Sequence, residues 1–106
     1  MFALTIGMML ALAAGPDDSS VRGRFTQCLK GSLDKAVTAK VDAAGFGAFA
    51  KLTCAVEATG FRNSLIAYDM KAGWTRRKAE PDADQQIGDY MDETSGRFKD
   101  KAVQPK

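Results

Sequence analysis

The sequence predicts an all-α fold: a three-helix bundle, or a long helical hairpin plus a third helix, with helices 1 and 2 joined by one disulfide. Three observations carry this reading. Apolar residues recur at three- and four-residue steps along most of the chain. No run alternates like a strand, and no Asn-Gly or Asp-Gly hairpin signal occurs. The two cysteines, Cys28 and Cys54, fall where two consecutive helices face each other.

The first element is a leader. Residues 1–15 read MFALTIGMMLALAAG and carry no charged side chain. As a helix, the apolar run would span about 22 Å, short of a bilayer core of about 30 Å. Ala11, Ala13, Ala14 and Gly15 supply small residues for cleavage, and the chain turns polar at Pro16. This is the pattern of a secretory signal peptide, although no Lys or Arg precedes the apolar stretch. Residues 16–106 then form a single helical domain that is periplasmic or secreted, with no stable membrane span once the leader is removed.

Helix 1 is expected over about 20–40. Val21, Phe25, Cys28, Leu29, Leu33, Ala36 and Val37 form its apolar face, and Ser19 or Ser20 can cap its start. Helix 2 is expected over about 43–72. Asp42 serves as its N-cap, and Val41 and Phe46 occupy the two positions of a hydrophobic staple. Gly73 is the natural stop.

The pairing of the cysteines follows from this layout. Facing residues of an antiparallel hairpin lie symmetrically about its turn. The midpoint between Cys28 and Cys54 is residue 41, where the capping pattern independently places the turn. A Cys28–Cys54 disulfide is therefore expected, and it suits an oxidising compartment. It would offset the glycines at 23, 31, 60, 88 and 96, all inside expected helices. Each costs about 1 kcal/mol relative to alanine.

Helix 3 is expected over about 76–101, with Thr75 as its cap. Pro81 either kinks this helix or starts it after an irregular segment. Ala83, Ile87, Tyr90, Met91, Thr94 and Phe98 form one apolar stripe downstream.

Composition narrows the function. The 106 residues are 45% hydrophobic and 26% charged, ordinary values for one globular domain. A formal net charge of +2 offers no polybasic nucleic-acid footprint. The absence of histidine removes His-based general-base catalysis and imidazole zinc sites. Two cysteines alone cannot build a four-cysteine zinc site or an iron–sulfur cluster. Ser32-Leu33-Asp34-Lys35 matches the S-x-x-K pattern of serine acyl-enzymes, but its companion motifs are missing. It reads as a chance match on the exposed side of helix 1. Asp82-x-Asp84 lacks the spacing of a calcium loop. No catalytic residue, metal site or cofactor is expected, and the chain reads as a non-enzyme.

Two features of helix 2 bear on binding. Leu52, Val56, Ile66 and Met70 form a second apolar stripe, nearly opposite the one that holds Phe46, Ala50, Cys54, Phe61, Leu65, Tyr68 and Ala72. Helix 3 covers that second stripe, or it is a partner surface for a homodimer or another envelope protein. Glu57 lies within the first stripe and is the candidate buried polar residue, to be paired by Arg22, Arg24, Lys30 or a tyrosine hydroxyl. Trp74-Thr75-Arg76-Arg77-Lys78 is a basic turn with one aromatic, followed by the acidic run from Glu80 to Asp84. It reads as a solvated helix entry.

The leader, Phe25-x-x-Cys28, Phe49-Ala50 before Cys54, Ile66-Ala67-Tyr68-Asp69 before Gly73, and Ile87-Gly88-Asp89-Tyr90 together resemble small exported helical proteins of uncharacterised function in Gram-negative bacteria. The resemblance is structural and implies no activity. The layout is also superficially similar to the small disulfide-bonded acid-stress chaperones of the periplasm, though it shares no motif with them. The sequence therefore points to a non-enzymatic binding or structural protein of the bacterial envelope. The alternative is a conditional chaperone that opens as its carboxylates protonate.

Overall fold

The computed structural model describes residues 18–103, with side chains from 20 to 101. The leader at 1–15 lies outside the described residues. The described chain is all-α, with four helices and no strand: α1 (Asp18–Thr38), α2 (Phe46–Thr53), α3 (Ala55–Lys71) and α4 (Arg76–Val103). Each helix packs against the other three.

α1 begins two residues earlier than expected, so Ser20 lies within its first turn rather than ahead of it. It ends in a left-handed turn. The N–H of Lys40 donates to Val37 O and that of Val41 to Ala36 O, with Lys40 at φ 60°. This is the reciprocal closure that usually carries glycine. Asp42 is not the N-cap as expected, a position held by Gly45 with no side-chain cap; its Oδ1 accepts from the N–H of Gly45 at 2.7 Å in the turn before the helix. It fixes a turn at 43–45, and the helix proper begins one turn later than expected, at Phe46. Phe46 is fully buried and Val41 packs on the same core.

The expected single helix over 43–72 is two helices. Cys54 leaves helical geometry at φ −111° and ψ 25° and separates α2 from α3. The interruption is one residue long. Cys54 N–H still donates to Ala50 O at 2.9 Å, and Ala58 N–H to Cys54 O at 2.8 Å. Two features act at the break. The Thr53 hydroxyl donates back to Phe49 O at 2.8 Å, a bond that bends helices. Cys54 is also tied to Cys28, with Cα atoms 5.8 Å apart. The expected disulfide is present and joins α1 to the junction of α2 and α3. Gly73, at φ 106°, stops α3 as expected: Gly73 N–H donates to Met70 O and Trp74 N–H to Asp69 O.

α4 settles the role of Pro81: it lies inside a helix that begins at Arg76. Thr75 caps this helix, its Oγ1 accepting from Lys78 N–H at 3.3 Å. The helix runs through the proline because Ala79 and Ala83, one turn apart, are both fully buried, while Pro81 stays on the solvent side. Packing of the first turn outweighs the lost hydrogen bond.

The core is aromatic. Phe25, Phe61 and Tyr90 form a triangle with centroids 5.6–5.8 Å apart. Phe46 stacks on Phe98 at 4.5 Å. Two ion pairs join helices at the surface, Arg62–Asp84 at 2.6 Å and Lys101–Asp34 at 3.1 Å. Hydrogen bonding from Arg62 holds the Asp84 carboxyl below its ordinary range. That contribution is therefore present above the unfolded carboxylate pKa of about 3.9, and it is lost as pH falls through the lower folded value. Melting curves of Asp84→Asn and the wild-type protein should differ slightly at neutral pH and low salt. They should converge in acid, and a gap that widened in acid would contradict the assignment.

Candidate functional site

The break at Cys54 displays what a continuous helix would have carried along one stripe. Leu52, two residues before it, and Val56, two residues after it, are each 82% exposed. Both belong to the candidate partner surface. The other two members separate from them. Ile66 is buried, at 3% exposure, because α3 packs against both α1 and α4. Met70 is 41% exposed and sits at the far end of α3. The four residues therefore do not form one surface. The first stripe also departs from expectation at its end, where Tyr68 and Ala72 are exposed.

Beside Val56 lies a depression of about 360 Å³ lined by Val21, Arg24, Glu57 and Gly60. A second, of about 390 Å³, runs along Cys28, Gly31, Lys35 and Glu57. Glu57 is thus half-buried rather than buried, and it makes no ion pair or hydrogen bond among the described residues. Arg22, one of its expected partners, lies over the Phe61 ring at 5.6 Å instead. The guanidinium covers the edge of the core where the carboxylate was expected to need it. On the other side of Leu52, Lys51 lines a groove of about 560 Å³ between α2, α3 and α4, with the Arg62–Asp84 pair on its wall.

The remaining sequence motifs resolve locally. Ser32 is fully buried, not on the exposed side of α1, and its hydroxyl donates to Leu29 O at 2.6 Å. That bond gives the hydroxyl a backbone acceptor within its own helix, and Lys35 points into solvent. Asp82 accepts from Gln86 and Asp84 from Arg62, so the two carboxylates are engaged separately. Among the described residues no three His, Cys, Asp or Glu side chains gather as a metal site. No described helix is long and apolar enough to cross a membrane.

Sequence reasoning found Leu52 and Val56 through periodicity. It missed that they flank a helix break at a crosslinked cysteine, because nothing local marks Cys54 as a helix terminus. Comparison with known proteins found no matching family model, curated protein or solved structure.

Proposed function

We propose that the chain is a non-enzymatic, exported protein of the bacterial envelope that acts by binding through the Leu52–Val56 face, and that its partner there is a second copy of itself. One observation supports the reading above others: two aliphatic side chains, each 82% exposed, stand on either side of a helix break whose residue is crosslinked to α1. The disulfide and the leader-like first residues favour an oxidising compartment.

The choice of partner rests on symmetry. The segment Lys51-Leu52-Thr53-Cys54-Ala55-Val56-Glu57 is apolar two residues to each side of Cys54 and oppositely charged three residues to each side. Lys51, like Glu57, makes no ion pair among the described residues. A two-fold axis lying in the interface, perpendicular to the line from Lys51 to Glu57, brings each of them to the other's counterpart. Leu52 then faces Val56 of the second copy, and the interface is self-complementary.

Magnitudes set the affinity. Four buried aliphatic side chains supply roughly 1.5–3 kcal/mol each. Association costs roughly 4–15 kcal/mol in lost freedom. The dimer is therefore weak and forms at micromolar concentration or above. Sedimentation equilibrium across a concentration series tests it. The wild-type protein should dimerise, Leu52→Lys should remain monomeric, and Lys51→Glu and Glu57→Lys should each weaken association. The double exchange Lys51→Glu with Glu57→Lys should restore it. A wild-type monomer throughout the series overturns the reading. Dye binding that appears only after acidification, together with suppressed client aggregation, would favour the chaperone instead.

A further inference from the structure

The other end of α3 carries a second surface, distinct from the Leu52–Val56 face in both position and chemistry. Every residue from Met70 to Lys78 is exposed, covering the last turn of α3, the Gly73 turn and the first turn of α4. Tyr68 is 66% exposed, Met70 41% and Trp74 36%. Interleaved with them are the cations Lys71, Arg76, Arg77 and Lys78.

The acidic run that follows leaves three of the tip's cations without a salt-bridge partner. Glu80 pairs with Arg76 at 3.1 Å and Asp84 with Arg62, while Asp82 accepts from the neutral Gln86 and keeps its charge one turn along α4 from Lys78. Lys71, Arg77 and Lys78 have no carboxylate partner among the described residues. The Lys78 ammonium instead lies 4.6 Å from the centre of the Trp74 ring. The tip thus carries an exposed tryptophan, tyrosine and methionine together with three cations that have no carboxylate partner among the described residues, on a turn closed by backbone hydrogen bonds.

We infer that this tip docks the protein onto an anionic bilayer surface. Tryptophan and tyrosine favour the headgroup level, where an apolar ring and a polar edge are both satisfied. Lysine and arginine beside them reach anionic headgroups while their stems lie along the apolar boundary. The tip would attach at the surface, through side chains of a turn rather than through a spanning helix. A docked tip leaves the Leu52–Val56 face free for a partner.

Trp74 is the single tryptophan of the chain, so its fluorescence reports this tip alone. The experiment mixes the protein purified from its host with vesicles of phosphatidylcholine containing a quarter phosphatidylglycerol. The phosphatidylcholine carries brominated acyl chains that quench tryptophan on contact. Trp74 emission should be quenched, and quenching should fade in roughly half-molar salt as the charges are screened. The variant Lys71→Glu/Arg77→Glu/Lys78→Glu, shown by circular dichroism to remain helical, should bind about a hundredfold more weakly. Absence of quenching in low salt overturns the proposal, even if the protein pellets with vesicles by another part of the chain. Equal quenching by purely neutral vesicles, or unchanged quenching of the triple variant, overturns it as well.

Discussion

Replacing Cys28 and Cys54 together by alanine lowers the unfolding free energy by about 3–4 kcal/mol. The bond closes a loop with a sequence separation of 26, and the chain-entropy relation assigns about 3.5 kcal/mol to a loop of that length. Domains of this size have only about 5–15 kcal/mol in total, so the loss is a large share. Thermal denaturation of the double variant should show a melting temperature lower by roughly 15–25 °C. The loss should also be local. α2 has eight residues, too few to persist as a helix without tertiary support. The bond pins its C-terminal end to α1. Hydrogen exchange of the amides from Ala50 to Cys54 should therefore accelerate more than that of the Phe25–Phe61 core. A drop in stability below about 1 kcal/mol, or uniform exchange across the domain, would show that packing holds the junction without the crosslink.

The crosslink was legible in the sequence because it needed only a turn position and two indices. Asp42 and Val41 marked the turn, and the cysteines lay symmetrically about it. Gly73 and the α4 stripe were legible for similar reasons. A left-handed stop and a 3.6-residue period are local signals, and Ala83, Thr94 and Phe98 are buried as that stripe requires. What was not legible depends on tertiary context. The bend at Cys54 falls inside an unbroken apolar pattern, and it coincides with a hydroxyl back-bond and a tether to another helix. Val56 and Ile66 both lie in α3, ten residues and so about 80° apart around its axis, and Ile66 falls on the side that faces the core while Val56 does not. Arg22 shows the same limit. Charge complementarity suggested a partner for Glu57, whereas the geometry gave the guanidinium an aromatic face. The helical path through Pro81 was also undecidable locally, since it depends on the burial of Ala79 and Ala83 together.

Replacing Gly23, Gly31, Gly60, Gly88 and Gly96 by alanine should stabilise the protein by roughly 4–5 kcal/mol. All five lie inside helices. A Cβ at each meets nothing within 4 Å, so no close packing requires the missing side chain. Each substitution removes a helix-interior penalty of about 0.8–1 kcal/mol, partly by restricting the unfolded chain. The sites are spread over three helices, which favours additivity. The opposite misplacement occurs at the end of α1, where Lys40 holds the left-handed position that glycine fills without strain. Lys40→Gly should add to the gain, while Gly73→Ala, at φ 106°, should reverse part of it. Denaturant melts of the five-fold variant, with these two single changes as controls of opposite sign, decide the matter. No gain from the five alanines would mean that these positions are covered in the assembled protein by something that needs the space. In that case, the same five-fold variant should lose its self-association or its vesicle binding. If stability rises and both binding activities survive, the glycines are a weakness of the helices that the Cys28–Cys54 bond offsets. Removing the crosslink from the five-fold variant should then leave a domain about as stable as the wild-type protein, because the two effects are of similar size and opposite sign.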